Sequence, residues 1–183
     1  MSFDYKLSFI QGGHWAKKVA QRLRDSGVEC YAPEIQIAQT AEERDYMTKH
    51  EKDIVFNWTD STIEVKSSTR NFTDFVEAYP YDSLFVDTVS GYESKAMKPM
   101  AYAIISQQEE GIVCIPPSSY PTWTKVRAYD KHREIWETFY SAPKEALIPF
   151  STLVDYLKEQ ENTDLMARVL DVFETIPVNI EDL

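Results

Sequence analysis

The chain has 183 residues, of which 43% are hydrophobic, and its formal net charge at pH 7 is −11. This length and composition support one domain with a sizeable core and exclude an intrinsically disordered protein. The acidic balance opposes a protein that coats nucleic acid, because it repels phosphate at long range, although it permits an enzyme with a local basic patch.

The two cysteines, Cys30 and Cys114, lie far apart in apolar, strand-like contexts. We expect buried free thiols and neither a disulfide framework nor a zinc site. No stretch reaches the roughly 20 apolar residues of a membrane helix, and the N-terminal residues show no signal-peptide pattern. The expectation is a cytoplasmic protein with no membrane partner.

The first part of the chain predicts a helix, a strand and a second helix. Apolar residues at helical spacing and a glycine just past the end predict the first helix over residues 14–27. A strand is expected over residues 30–37. Thr40 and Glu43 fit a capping box, which places the start of a short helix that ends near residue 49.

Two short apolar runs, residues 54–58 and 62–66, are separated by a polar turn and predict a β-hairpin. Side chains alternate across a strand, so the apolar residues of the second run share one face. Glu64 and Lys66 are then expected together on the other face.

The middle of the chain predicts a short helix and three strands. Residues 72–79 fit a short helix stopped by a proline, and residues 83–89 fit a central strand. Residues 100–106 and 111–116 predict a second hairpin, joined by a polar turn.

The last third of the chain predicts helices over residues 127–140, 151–160 and 163–176. Aromatic residues are frequent between residues 120 and 140. They could stack on nucleic-acid bases, but packing against the sheet is the favoured expectation, above all for Trp136, Phe139 and Tyr140. Tyr120 and Trp123 lie in a proline-rich loop, and for these two residues base stacking and core packing both stay open.

Three charged residues interrupt the first predicted hairpin. Asp53 precedes one strand, and Glu64 and Lys66 lie in the other, so antiparallel pairing brings both carboxylates to one end of the sheet if the register agrees. Neighbouring carboxylates repel and favour a cation, and Mg²⁺ takes carboxylate oxygens as ligands. Such an ion activates water and stabilises charge on a phosphate. The ammonium of Lys66 could orient or deprotonate that water, or neutralise the transition state.

The pattern D-x10-E-x-K formed by Asp53, Glu64 and Lys66 resembles that of the PD-(D/E)XK nuclease superfamily, which includes small phage and bacterial proteins. Those domains tend to run helix, three-strand meander, helix, strand, with the first acid on the second strand and E-x-K on the third. The resemblance covers roughly residues 14 to 116. One departure is that Lys52, and not proline, precedes Asp53.

The resemblance implies a restriction-endonuclease-like fold of mixed α/β (α+β) class, a central mixed sheet flanked by helices. The predicted organisation is one domain over residues 1–183, with a nuclease-like core over 14–116 and a helical C-terminal extension over 120–183. Asp53 and Glu64 would hold Mg²⁺ or Mn²⁺, and Lys66 would be the catalytic lysine.

Further candidates surround this motif. Many members of the superfamily carry an extra acid on or after the first helix, so Glu29 and Glu34, the latter on the predicted first strand, are candidates for a third metal ligand. Lys95 and Lys98 are candidates for holding a phosphodiester backbone, as are Ser68 and Arg70 just after the E-x-K strand. A surface glutamate, solvated lysines and a plain polar loop are the alternatives for these residues.

The predicted function is a metal-dependent nuclease that hydrolyses phosphodiester bonds, with DNA as the favoured partner. A homodimer is a further possible assembly, because many members of the superfamily act as dimers. The alternative is a catalytically inactive nuclease-like fold that serves as a protein-interaction module, for which the net charge of −11 argues. A basic rim around the motif would favour the nuclease; its candidate residues are Lys17, Lys18, Arg22, Lys95 and Lys98.

Overall fold

The described part of the chain pairs its strands into two sheets. The structure, a computed structural model, describes residues 5–36, 38–50, 52–108, 110–131 and 133–175. Its helices are α1 (Tyr5–Asp25), α2 (Ala41–His50), α3 (Val89–Ser94) and α4 (Phe150–Thr175). Its strands are β1 (Cys30–Tyr31), β2 (Ile54–Phe56), β3 (Thr62–Ser68), β4 (Ser83–Thr88), β5 (Ala101–Ser106), β6 (Ile112–Ile115), β7 (Thr124–Asp130), β8 (Ile135–Pro143) and β9 (Ile148–Pro149).

The larger sheet has six strands in the order β1-β2-β3-β5-β6-β9. Strands β3 and β5 are parallel, whereas the other neighbours are antiparallel. A parallel pair requires a long crossover connection, and here it contains β4 and α3. Strand β4 pairs with β8 in a second, antiparallel sheet of order β4-β8-β7. The predicted mixed α/β class is therefore confirmed.

The core lies on both faces of the larger sheet. On one face, Leu23 of α1 and Leu157 of α4 pack with Ile105 of β5, and all three side chains have no exposed surface. On the other face, Tyr102 of β5 packs with Tyr140 of β8 between the two sheets. Strand β5 is consequently buried on both faces, which explains its uninterrupted apolar run.

Local sequence signals predicted the C-terminal end of α1 and the start of α2. The backbone N–H of Val28 donates to Leu23 O at 3.0 Å and that of Gly27 to Arg24 O at 2.8 Å, which are the two hydrogen bonds of a Schellman cap. Gly27 has a positive φ of 85°, a conformation that glycine adopts without a steric penalty. At the start of α2, the Thr40 hydroxyl accepts from Glu43 N at 3.1 Å and the Glu43 carboxylate accepts from Thr40 N at 3.3 Å. The predicted capping box is thus confirmed.

Three elements predicted in the first half have other bounds in the structure. The first helix, expected over residues 14–27, is Tyr5–Asp25 and begins earlier because no proline lies there to stop it. The strand expected over residues 30–37 covers only Cys30–Tyr31 among the described residues, because Pro33 cannot donate to a strand ladder; residue 37 lies outside them. The helix expected over residues 72–79 is a short 3-10 turn, Val76–Ala78. Asp74 restrains that segment by accepting a 2.7 Å hydrogen bond from Ile112 N.

The strand predicted over residues 83–89 exists but is not central. It is β4, at the edge of the second sheet, where Val86 is buried and its neighbour Phe85 is 47% exposed. Only one face of β4 is covered by the larger sheet. The two predicted hairpins, in contrast, are confirmed as β2–β3 and β5–β6.

The helix predicted over residues 127–140 is wrong, since this stretch forms most of the β7–β8 hairpin. Its isoleucine, tyrosine, tryptophan and phenylalanine residues suit a half-covered sheet better than a helix. The region 120–183 is therefore not a purely helical extension. The two helices predicted over 151–160 and 163–176 are one helix, Phe150–Thr175, which no proline or glycine interrupts; residue 176 lies outside the described residues.

Both cysteines are free and buried, as expected, and burial raises the pKa of Cys30 to about 11. Among the described helices, none has the length and apolar character needed to cross a lipid bilayer.

Candidate active site

The register of the β2–β3 hairpin places Asp53 opposite Glu64. Ile54 pairs with Ile63 and Val55 with Thr62, so one further step along the ladder sets the two acids face to face. Directly opposed residues of an antiparallel pair share one face of the sheet. The register condition on which the predicted carboxylate pair depended is therefore met.

Asp53 is fixed by the backbone of the neighbouring strand. Its Oδ2 accepts a hydrogen bond from Val65 N at 2.7 Å, between the positions of Glu64 and Lys66. Burial raises the pKa of Asp53 to about 6, and the negative charge of Glu64 adds to this, against the opposing effects of the Val65 hydrogen bond and the nearby lysines. Asp53 therefore keeps its proton to a higher pH than an ordinary aspartate does.

Glu64 is held by two lysines. Lys66 Nζ lies 2.5 Å from Glu64 Oε1, and Lys95 Nζ lies 3.0 Å from Oε2. Burial alone would raise the pKa of Glu64, but the two ammonium groups outweigh it and lower that pKa. Glu64 is consequently ionised at a pH where Asp53 is still protonated, so the two facing acids differ in charge below about pH 6.

Asp87, at the end of β4, completes the ion cluster, which we define as Asp53, Glu64, Lys66, Asp87 and Lys95. Its side chain is only 9% exposed, its Oδ2 lies 3.0 Å from Lys95 Nζ, and its Oδ1 lies 3.8 Å from Lys66 Nζ. The sequence analysis missed this residue. Its signal was a charged side chain inside the apolar run 83–89.

The two lysines of the cluster stay protonated. Burial alone would lower the pKa of each, but the carboxylates of Glu64 and Asp87 outweigh it and raise both values. A lysine acts as a general base only when its pKa falls toward the working pH. Lys66 is therefore suited to binding or neutralising negative charge and not to removing a proton.

The ion cluster opens on a cavity of about 480 Å³. Asp53, Glu64, Lys66 and Lys95 all line it, and so does Glu34, the predicted third metal ligand. Other walls come from α1, α2, the connections that flank them and the connection from α3 to β5; the lining residues there include Gly12, Gly13, Ala16, Pro33, Ile35, Tyr46, His50, Met97 and Pro99. The structure thus brings Glu34 to the same cavity as the motif.

Three predicted substrate-binding residues are not among the residues that line the cavity. Lys98 Nζ donates to the carbonyl oxygens of Tyr92 at 2.6 Å and Lys95 at 2.9 Å, so it caps the end of α3. Ser68 lies at the far end of β3 and accepts from Arg70 N at 3.2 Å. The Arg70 guanidinium lies 5.6 Å from the Tyr81 ring centroid.

The predicted basic rim is also altered by pairing. Lys18 bonds to Glu110, and Arg22 bonds to Asp74 through contacts of 2.6 and 3.1 Å. These pairs lie beside the turn between β5 and β6, and neither cation lines the cavity. Of the predicted rim, Lys95 is the residue that the fold brings to the motif.

The oxygen ligands of the cluster suit a hard divalent ion. Asp53 and Glu64 face each other, and Glu34 lines the same cavity, although the described residues form no group of three or more acidic, histidine or cysteine side chains positioned to hold a metal. Both carboxylate oxygens of Glu64 contact lysine, so an ion that binds there has to share these oxygens with the ammonium groups or displace one of them.

Comparison of the chain with protein-family models, curated proteins and solved structures finds no match. Function is therefore inferred from the ion cluster and from the order of the elements that carry it.

Proposed function

We propose that the protein is a metal-dependent nuclease that hydrolyses phosphodiester bonds, with DNA as the favoured substrate and Mg²⁺ or Mn²⁺ as cofactor. The observation that carries the proposal is the placement of Asp53 opposite Glu64 with Lys66 bonded to Glu64, at the edge of a cavity. Two acids and a lysine in this arrangement combine an oxygen site for a cation with a positive charge for phosphate.

The order of the elements supports a restriction-endonuclease-like core. Helix α1 precedes the antiparallel strands β1-β2-β3, with α2 inserted between β1 and β2; α3 lies in the crossover, and β5 then pairs with β3. Asp53 directly precedes the second strand, and Glu64 and Lys66 stand on the third, close to the arrangement of the superfamily that the motif resembles. The fourth strand of this core is β5 and not the segment 83–89 expected from sequence.

The roles follow from the local chemistry. Asp53 and Glu64 would hold the divalent ion, which would supply an activated water and stabilise charge on the phosphate. Lys66, with its raised pKa, donates to a non-bridging phosphate oxygen as negative charge builds there. Lys95 bonds Glu64 to Asp87 and thereby positions the carboxylate.

The test combines a Mn²⁺ titration by calorimetry with a cleavage assay on mixed DNA substrates. We expect Glu64→Ala to lose Mn²⁺ binding and Lys66→Ala to lower the cleavage rate about 10²- to 10⁴-fold while the fold persists. Lys17→Ala, an exposed lysine of α1 that does not line the cavity, is the charge-matched control. Cleavage that survives Lys66→Ala unchanged would remove the proposed role.

A second candidate function is a protein-interaction module on the same fold. The observation in its favour is that Glu64, Lys66, Asp87 and Lys95 already neutralise one another, as a purely structural ion network would. Wild-type protein that neither binds Mn²⁺ nor cleaves DNA, yet loses stability when Asp87 is replaced, would favour this function.

A further inference from the structure

The β7–β8 hairpin exposes aromatic side chains that the sequence analysis placed in the core. Trp136 is 63% exposed and Tyr129 is 46% exposed, and their ring centroids lie 5.6 Å apart. The core expectation is confirmed for Tyr140, which is buried, and wrong for Trp136. Neighbouring exposed aromatic rings are a common mark of a binding surface.

Cations lie on the same face of the hairpin as these rings. Tyr129 pairs with Trp136, and Arg127 and Lys125 follow at alternate positions of β7, which puts all four side chains on one side. The Arg127 guanidinium lies 5.5 Å from the Trp136 ring centroid. We call this surface the aromatic–basic face and define it as Lys125, Arg127, Tyr129 and Trp136.

The opposite face of the hairpin differs in charge. It carries the exposed apolar residues Val126 and Ile135 together with Asp130 and Glu137, which both pair with Arg133. Within the hairpin, the acids Asp130 and Glu137 therefore lie on one face, and the cations Lys125 and Arg127 lie on the aromatic–basic face. The aromatic–basic face is thus a local basic surface in a chain whose net charge is −11.

The aromatic–basic face begins beside the ion cluster. Tyr140 stands opposite Asp87 in the β4–β8 ladder, and its hydroxyl donates to Glu93 at 2.8 Å. Lys125 Nζ lies 3.3 Å from the same carboxylate. From Tyr140, four residues of extended strand, about 13 Å, lead outward to Trp136.

We infer that the aromatic–basic face binds single-stranded nucleic acid, with bases stacked on Trp136 and Tyr129 and phosphates contacted by Arg127 and Lys125. Aromatic platforms flanked by cations bind single strands in this way without reading their sequence. The link from binding to cleavage rests on the proposed nuclease function.

The test measures the affinity of the full-length protein for fluorescein-labelled oligothymidylate by anisotropy, with EDTA present to prevent cleavage. Loss of one stacking ring weakens binding about 5- to 150-fold, so we expect that change for Trp136→Ala. Ile135→Ala is the matched control, because Ile135 is the adjacent exposed residue and faces the other side. It is expected to retain the wild-type affinity.

Salt dependence separates the two kinds of contact. Arg127→Ala should reduce the slope of log affinity against log salt by about 0.7, the value for one phosphate contact on a single strand, whereas Trp136→Ala should leave it nearly unchanged. Wild-type protein that fails to bind the oligonucleotide, or equal losses in Trp136→Ala and Ile135→Ala, would overturn the inference. A dimer that dissociates in Trp136→Ala, with oligonucleotide binding unaffected, would assign the face to a second copy instead.

Failure of this inference is distinguishable from failure of the proposed function. If the wild type binds oligothymidylate through Trp136 but never cleaves with Mn²⁺, the face stands and the nuclease proposal falls. If it cleaves, and Trp136→Ala neither weakens oligonucleotide binding nor changes cleavage, the nuclease proposal stands and the face does not bind the strand.

Discussion

Lys95 Nζ lies 3.0 Å from Oε2 of Glu64, although Glu64 lies in β3, before the crossover to β5, and Lys95 lies near the end of that crossover. The contact forms because α3 ends directly before Lys95, whose backbone N–H donates to Tyr92 O at 3.4 Å. The lysine expected to hold a phosphate is thus an internal partner of the motif glutamate. A cation that binds Oε2 of Glu64 shares that oxygen with Lys95 or displaces it.

Replacing Lys95 with alanine is expected to strengthen Mn²⁺ binding by about tenfold, because it removes a positive charge from the carboxylate that would hold the ion. Calorimetric titration measures this directly. Lys98→Ala is the matched control, since Lys98 contacts helix carbonyls and is expected to leave the Mn²⁺ affinity unchanged. Weaker binding in Lys95→Ala would mean that the lysine orients Glu64 more than it competes for it.

Replacing Asp87 with asparagine is expected to lower the free energy of unfolding by about 3 kcal/mol, because Lys95 loses one of its two buried carboxylate partners. Urea unfolding near neutral pH measures the change. Glu93→Gln weakens an exposed pair with Lys125 and should be much milder. Equal effects of the two changes would show that Asp87 is not a buried partner of the cluster.

Alanine substitutions at two glycines, Gly111 and Gly12, are expected to change the stability of the protein in opposite directions. A Cβ atom at Gly111 would lie 2.2 Å from the Phe72 carbonyl oxygen and 2.5 Å from Thr73 Cα, and backbone cannot yield easily there. Gly111→Ala should therefore destabilise the protein by about 2 kcal/mol or more. At Gly12, inside α1, nothing lies within 4 Å of such an atom, so Gly12→Ala should stabilise it by about 1 kcal/mol. Thermal unfolding of both variants compares them, and a shared sign would contradict the packing.

The sequence predicted those elements whose signals are local. The Schellman glycine Gly27 and the capping pair Thr40 and Glu43 act within one helical turn, and the β2–β3 hairpin is closed by a short turn. Parallel pairing of β3 with β5 joins residues separated by a whole strand and helix, so no local pattern contains it. The β7–β8 segment was mistaken for a helix because its apolar residues fit both periods, and tertiary pairing decided between them.

The candidate site likewise combines residues that local sequence patterns predicted with residues that only the tertiary structure brings there. Asp53, Glu64 and Lys66 belong to one hairpin, so their proximity followed from the sequence once the register was assumed. Asp87 reaches the cluster only because β4 leaves the larger sheet and pairs with β8, a choice made by packing between distant strands. The exposure of Trp136 depends on the same second sheet, whose outer part extends beyond the cover of the larger one.

Asp53 should make the stability of the protein depend on pH. In the unfolded chain an aspartate titrates near about 3.9, whereas burial raises the pKa of Asp53 to about 6 in the folded state. Below about pH 4 the group is protonated in both states and has no effect on the unfolding free energy. Between pH 4 and 6 the unfolded state releases its proton first. Above pH 6 the folded state carries a buried carboxylate and is destabilised by about 3 kcal/mol.

Asp53→Asn removes that charge and keeps an oxygen that can accept from Val65 N. In EDTA at pH 8, we therefore expect the variant to be more stable than the wild type by up to about 3 kcal/mol, with the difference vanishing near pH 4. Urea unfolding across this pH range checks both ends. Added Mn²⁺ should raise the stability of the wild type and not that of the variant, because the ion requires the carboxylate that asparagine lacks. A wild type that is the more stable protein at pH 8 in EDTA would mean that Lys66 and Lys95 stabilise the Asp53 charge more than burial opposes it.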